Sequence, residues 1–180
     1  MERLNSGSVH GRFQPFHNGH LDYVLQAADR ADYIHIGLTQ VFQPLLDKQK
    51  TGRDTRDANP LTFFERSRLV AAALEEYGIS KTRFNITPFP IETPNLLPQF
   101  VPVSVPCFTT LVTSWNDEKV SRLEAVGYHV QTLQVSPLDN NRVTSGTEIR
   151  QLIRSGDNQW ARYVPSSVAD LIAAHYQERF

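Results

Sequence analysis

The sequence predicts the α/β class: a doubly wound parallel sheet with helices on both faces, in a single domain over residues 1–180. Three observations predict it. Strand-like and helical segments alternate along the chain. The first three, "SVHGRF", "HNGHLDYVLQAADRA" and "DYIHIGL", fit strand, helix and strand into about 30 residues, the size of a βαβ unit. The chain has 180 residues, enough for one domain with a full core, and no linker, internal repeat or low-complexity stretch divides it.

The elements follow in order. Ser8–Phe13 reads as a short strand with glycines around it. Leu21, Val24, Leu25 and Ala28 then recur at helical spacing. Asp32–Leu38 is β-rich. Residues 39–60 lack a period and contain Pro44, Gly52 and Pro60, so they are expected to form a mobile substrate loop. Lys48, Lys50, Arg53 and Arg56 stand there against Asp47, Asp54 and Asp57. A solvated surface loop and a lid that carries cations to a polyanion both remain open. "TFFERSRLVAAALEEYG" begins with Thr62 and Glu65 in capping-box spacing, shows Phe63, Val70, Leu74 and Tyr77 on one face, and stops at Gly78. "RFNITPFPI" and "CFTTLVT" are strands, "DEKVSRLEAVG" is a helix closed by Gly127, and "YHVQTLQV" is a strand. "TSGTEIRQLIRSG" opens a helix with Ser145 and Glu148 as a second capping box. "PSSVADLIAAHYQERF" is an amphipathic helix carrying Val168, Leu171, Ile172 and Tyr176.

Composition narrows the function. Hydrophobic residues make up 40% and charged ones 21%, ordinary values for a globular protein. The net charge of -1 gives no basic field, so nucleic acid is not an expected partner. The one cysteine, Cys107, excludes an internal disulfide and a four-cysteine zinc site, and its apolar surroundings suit a buried structural thiol. "MERLNSGSVHG" lacks the apolar core of a signal peptide, and no run approaches the roughly 20 apolar residues that span a bilayer. A cytoplasmic location with no membrane partner is the expectation.

The stretch "GRFQPFHNGH" lies at the end of the first strand, where doubly wound sheets place ligands. The following helix N-terminus offers unpaired N–H groups and partial positive charge to an anion. Gly19 allows close approach, and His17 and His20, three apart, can face one side of the first turn. Two imidazoles there could hold phosphate oxygens as charge builds in a transition state. Zinc would need further ligands at close spacing, and purely structural histidines are a second alternative. Gly7 and Gly11 make no dinucleotide fingerprint, and no P-loop lysine follows. "TSGTEIR" marks another helix N-terminus. Ser145, Thr147 and the N–H groups of Gly146 and Thr147 can donate to phosphate there, and Arg150 can bind two oxygens at once. An ordinary capped helix is its bland reading, but together the two stretches look like two halves of a triphosphate clamp.

"GRFQPFHNGH" with "SGTEIR" resembles the nucleotidyltransferase superfamily that carries an HxGH motif and a C-terminal S-x-x-x-x-R-type motif. Over most of the chain, "NPLTFFER", "GYHV" and "VPSSVADLI" included, it is similar to the archaeal-type nicotinamide mononucleotide adenylyltransferases. The resemblance implies a Rossmann-like fold and in-line attack of an acceptor phosphate on the α-phosphorus of a nucleoside triphosphate, with pyrophosphate leaving. His17, His20, Arg12 and Arg150 would be catalytic. Gly11, Phe13, Gln14, Gly19, Ser145, Gly146 and Thr147 would bind the nucleotide. Mg²⁺ would enter on the triphosphate, with no protein metal ligands. Members of the superfamily often assemble, which implies a homo-oligomer as an expectation.

The chain departs from those adenylyltransferases around the acceptor. Their tryptophan that stacks on the pyridine ring matches Leu97 here, which has no flat π-face. "TSWND" stands where they have an S-N-x-P-like stretch, and residues 39–60 look like an insertion. These features resemble the cytidylyltransferases of phosphonate natural-product pathways. That resemblance implies CTP and a small phosphonate acceptor, with Lys48, Lys50, Arg53, Arg56, Leu97 and Trp115 as substrate-binding residues. A nucleotide-binding sensor without turnover is the alternative from another class.

Overall fold

Five short β segments pair into one parallel sheet in the computed structural model, which describes residues 3–42, 55–110, 114–133 and 145–180. They are β1 (Leu4–Gly11), β2 (Ala31–Leu38), β3 (Phe84–Pro88), β4 (Cys107–Thr110) and β5 (Val130–Leu133). The order is β3-β2-β1-β4-β5, every pair parallel. Strand order reverses between β1 and β4, the switch point of an open α/β sheet. The helices are α1 (Asn18–Arg30), α2 (Phe63–Glu76), α3 (Ser114–Ala125), α4 (Gly146–Arg154) and α5 (Ser166–Leu171). The predicted alternation of strand and helix is therefore the observed one. Among the described residues, no helix is long and apolar enough to cross a membrane.

The described residues fall into two compact units interleaved in sequence. The first draws on the chain up to Gly11, on Asp22–Thr39 and on the described part of Lys81–Pro137. It contains the whole sheet. β1 lies at the middle of the strand order, and Gly7, Ser8, Val9 and His10 are all buried, as expected for a strand covered on both faces. Two strand glycines make room for aromatic rings. A Cβ on Gly7 would run into the Phe108 ring, and one on Gly37 would stand 2.7 Å from Phe89. Leu97 is fully buried in a cluster with Phe89, Ile91, Val101, Leu123 and Tyr128, and the Tyr128 hydroxyl donates to the Val101 carbonyl at 2.5 Å. Cys107 is buried in the same cluster, and burial pushes its thiol up to about 11.

The second unit draws on Arg12–Leu21 and on the described parts of Gln40–Ser80 and Leu138–Phe180. Its α2 opens with the expected capping box. The Thr62 hydroxyl accepts the Glu65 N–H at 3.2 Å, and the Glu65 carboxylate accepts the Thr62 N–H at 2.8 Å. Gly78, with φ at 78°, ends that helix as its sequence position suggests. Tyr77, expected on the apolar face, is half exposed because it is the C-cap rather than part of the last turn. The Glu76 carboxylate accepts the N–H groups of Ser166 and Ser167, which caps α5. The single C-terminal helix expected from the sequence is divided: α5 passes into a π-turn at Ile172–Tyr176 and a 3-10 turn at Gln177–Arg179.

β1 also departs from expectation. It begins at Leu4 instead of Ser8 and ends at Gly11 instead of Phe13. Phe13 has φ at 52°, in the left-handed region, and no strand continues through such a residue.

The fit of Gly7 against Phe108 sets an expectation for stability. Gly7→Ala overpacks a tight contact and should cost roughly 1–3 kcal/mol in urea unfolding. Adding Phe108→Leu should recover part of that loss. A Gly7→Ala chain that unfolds at the wild-type urea concentration would contradict this packing.

Candidate active site

Beyond β1 the chain enters the segment Arg12–Leu21 of the second unit. Its left-handed Phe13 costs about 1–2 kcal/mol for an L-residue, so the neighbouring peptides must be held. They are held on both sides. Arg66 Nη1 donates to the Arg12 carbonyl at 2.8 Å, and Arg150 Nη1 donates to the Gln14 carbonyl at 2.7 Å. The Gln14 side chain grips a third strand of backbone. Its Nε2 donates to the Leu61 carbonyl at 2.9 Å, and its Oε1 accepts the Leu61 N–H at 3.0 Å.

Arg66 is fully buried on α2 and also donates to the carbonyls of Gln40 and Thr62. A buried guanidinium needs such partners, because an uncompensated charge there would be very costly. Sequence reasoning missed this residue. The signal was an arginine three residues after Phe63 and four before Val70, on the face expected to be apolar.

Arg150 on α4 is likewise buried. Its Nη2 donates to the Thr147 hydroxyl at 3.1 Å, and its Nε has no hydrogen-bond partner among the described residues. Burial and the nearby Arg154 lower its pKa while Asp57 opposes them, and a guanidinium stays charged throughout. Ser145 caps α4 by accepting the Glu148 N–H at 3.3 Å, the forward half of the expected capping box. Gly146 follows. A Cβ there would lie 2.8 Å from the Gln14 carbonyl oxygen, so only glycine lets that carbonyl reach the first turn of α4. The two motifs, 136 residues apart, therefore meet through one guanidinium and one missing side chain.

The histidines complete the arrangement. The His17 carbonyl and His17 Nδ1 both accept the His20 N–H, at 2.8 and 3.3 Å. His17 thus caps α1 with its ring, a role more often taken by Ser or Asp. With Nδ1 accepting, the neutral ring carries its proton on Nε2. The His20 ring stacks on that of His17 with centroids 3.5 Å apart, and Phe13 meets it edge-on at 4.8 Å. Gly19 has a role the sequence did not suggest. A Cβ there would crowd the His17 ring at 3.2 Å, so the glycine makes room for an imidazole of the motif itself. Burial first, then the repulsion that a protonated His17 and the Arg12 guanidinium would exert, hold the His20 pKa well below 6.5, with the Pro15 carbonyl opposing.

Other expected site residues are placed as follows. Phe13 and Gln14 are buried and support the loop from within. Arg12 is partly exposed, and Ser145 and Thr147 are exposed on α4. Gly11 closes β1, its carbonyl accepting the Thr39 N–H at 3.0 Å. Leu97, expected to bind substrate, is instead a core residue of the first unit with no exposed surface. Arg56 lies on an exposed turn beside a cavity of about 490 Å³, lined also by Asp57, Arg154 and Arg179. Lys48, Lys50 and Arg53 lie outside the described residues, as does the side chain of Trp115 in the first turn of α3. Among the described residues, no three His, Cys, Asp or Glu side chains gather to hold a metal.

The histidines give the fold a pH dependence. His20 and His10 both have folded pKa values well below the 6.5 of a free imidazole. The unfolded chain therefore takes up protons first as pH falls. Their contribution to stability is present above pH 6.5 and is lost as pH drops toward the folded pKa values. Urea midpoints should hold between pH 8 and 7 and fall between pH 6.5 and 5.5, before carboxylates titrate. A midpoint that is flat or rising in that window would contradict the buried neutral state.

The Cytidylyltransferase-like family matches residues 9–152. The phosphonoformate cytidylyltransferase of Streptomyces viridochromogenes is 34% identical over 170 residues, 93% of this chain and 90% of that one. The nicotinamide-nucleotide adenylyltransferase of Ignicoccus hospitalis is 34% identical over 165 residues, 90% of this chain and 87% of that one. Among solved structures, a bifunctional NMN adenylyltransferase/ADP ribose pyrophosphatase from Francisella tularensis superposes with a TM-score of 0.68 at 16% identity. That likeness covers 97% of this chain and 52% of the bifunctional protein, so this chain spans about half of it, and it establishes a shared Rossmann-like fold. With the two motifs joined as described, these matches lead to one conclusion: the chain is a nucleotidyltransferase, a member of the cytidylyltransferase-like family with an HxGH motif.

Proposed function

We propose that this enzyme transfers a cytidylyl group from CTP to a small phosphonate and releases pyrophosphate. The link from Arg150 to the Gln14 carbonyl is the observation that carries the nucleotidyl-transfer reading, because it holds the helix N-terminus of α4 beside the histidine loop. The acceptor reading is supported by the likeness to a phosphonoformate cytidylyltransferase. The family match runs through segments of both units, which supports one nucleotidyltransferase domain.

In this reading an acceptor phosphonate oxygen attacks the α-phosphorus in line. A new P–O bond forms as the bond to the β-phosphate oxygen breaks, and pyrophosphate departs with that electron pair. An ionised acceptor needs no base. The Nε2–H of His17 and the neutral ring of His20 donate to phosphate oxygens as charge builds, with the guanidinium of Arg12 close by. The N–H groups of Gly146 and Thr147 and the hydroxyls of Ser145 and Thr147 hold the outer phosphates at the start of α4. Arg150 adds positive charge there and keeps the two donor sets in register. Mg²⁺ bound to the triphosphate would offset part of its charge, and a site of imidazoles and guanidiniums fits an anion that brings its own metal.

A second reading, adenylyl transfer to nicotinamide mononucleotide, is favoured by the likeness to nicotinamide-nucleotide adenylyltransferases. Pyrophosphate release with CTP or ATP, each against phosphonoformate or nicotinamide mononucleotide, separates the two. CTP with phosphonoformate should be the fastest pair. Faster release from ATP with nicotinamide mononucleotide would overturn the substrate reading. Tight triphosphate binding with no release from any pair would instead support a nucleotide sensor.

A further inference from the structure

Asp57 and Arg154 lie outside the two phosphate motifs, and the phosphate chemistry above does not use them. Arg154 sits on α4 one turn after Arg150, on the same side of the helix. Its Nη1 and Nη2 donate to the two carboxylate oxygens of Asp57 at 3.1 and 2.6 Å, a bidentate fork. Nη2 also donates to the Asp57 carbonyl at 3.1 Å, and Nε donates to the main-chain oxygen of Phe180 at 2.5 Å. One guanidinium thus fixes both the side chain and the backbone of Asp57. The Asp57 side chain is 78% exposed and borders the cavity of about 490 Å³, so hydrogen bonds rather than packing hold it.

The turn that carries Asp57 is tied to itself. The Ala58 N–H donates to the Thr55 hydroxyl at 3.1 Å, the Asn59 N–H to the Arg56 carbonyl at 3.0 Å, and Asn59 Nδ2 to the Thr55 carbonyl at 2.8 Å. Four residues after Asp57, the backbone of Leu61 bonds the Gln14 side chain through both its N–H and its carbonyl. Arg150 in turn holds the Gln14 carbonyl. The bonds therefore close a ring: α4, Arg154, the Asp57 turn, Leu61, Gln14, Arg150 and back to α4. Every member belongs to the second unit. A closed ring constrains more than a single contact does. The loop cannot slide along α4 at Gln14 without also straining the fork at Asp57. An isolated exposed ion pair contributes little to stability. This one joins two segments already folded by other bonds, so its effect falls on their register and not on unfolding. The Asp57 carboxylate also favours the charged state of Arg150 across the ring.

We propose that Asp57 and Arg154 are positioning residues for nucleotidyl transfer, their fork closing a ring that holds the histidine loop in register with the N-terminus of α4. This rests on the reading above of those two elements as the donor sets. In the full chain, pyrophosphate release is followed with whichever of the four substrate pairs above the wild type turns over fastest. Asp57→Ala removes the carboxylate, and Arg154→Lys keeps the charge but loses the fork. Each should lower kcat at least fivefold, because the histidines act in the transition state. Each should leave the KM for the triphosphate within twofold, because α4 still holds the outer phosphates. The double variant should be no slower than the slower single one, as expected for two ends of one link. Asp32→Ala breaks a comparable exposed pair with Arg3 in the first unit and should keep wild-type kinetics. With His20→Ala slow, an unchanged kcat in either single variant, multiplying losses in the double one, or an equal loss in Asp32→Ala overturns this inference alone. Wild-type turnover in His20→Ala, or no turnover of any pair by the wild type, overturns the reading of the donor sets and this inference with it.

Discussion

Two buried guanidiniums hold the loop on which the histidine motif depends. Arg66 and Arg150 reach the carbonyls on either side of Phe13, whose left-handed backbone would otherwise relax. The arrangement is mutual. Each arginine is buried and needs acceptors, and each carbonyl is taken out of water and needs a donor. Removing either partner leaves a buried carbonyl unpaired, at about 1–3 kcal/mol, and removing the carbonyl's position strands a charge. The loop shape is therefore set by elements far away in sequence, on α2 and α4, and not by its own residues alone. Gln14 adds a third tie through the backbone of Leu61. The imidazoles that result are stacked, His17 caps α1, and His20 is kept neutral, which suits a donor awaiting developing negative charge.

Much of this was legible because its signals are local. The capping box of Thr62 and Glu65, the stop at Gly78, the alternation of strand and helix, and the two family motifs each need only a few neighbouring residues to be recognised. What was not legible depends on long separations. The Arg66 side chain bonds a carbonyl 54 residues earlier, and Arg150 bonds one 136 residues earlier. No periodicity encodes either bond. Glycines were read by the same local habit. Gly19 was expected to admit a ligand and Gly146 to donate its N–H; each also clears space for a protein atom of the motif, the His17 ring and the Gln14 carbonyl. Leu97 shows the converse error, a residue matched to a ligand-stacking position that proves to be core packing.

Acceptor choice is a separate physical problem from phosphate transfer. A phosphonoformate cytidylyltransferase and a nicotinamide-nucleotide adenylyltransferase are each 34% identical to this chain. Overall identity therefore does not decide the substrate. A hydrogen-bonding site discriminates sharply, because a wrong acceptor leaves its buried donors unpaired.

The two motifs meet because α4 receives the Gln14 carbonyl at Gly146 and Arg150. Kinetics of Gly146→Ala test this most directly, since one added methyl changes no charge and removes no hydrogen-bond donor. The added Cβ would sit 2.8 Å from the Gln14 carbonyl oxygen and must push the loop from α4. Nucleotidyl transfer should fall at least tenfold while the far-ultraviolet circular dichroism of the folded chain is retained. Wild-type kinetics in Gly146→Ala would show that the motifs do not depend on this contact.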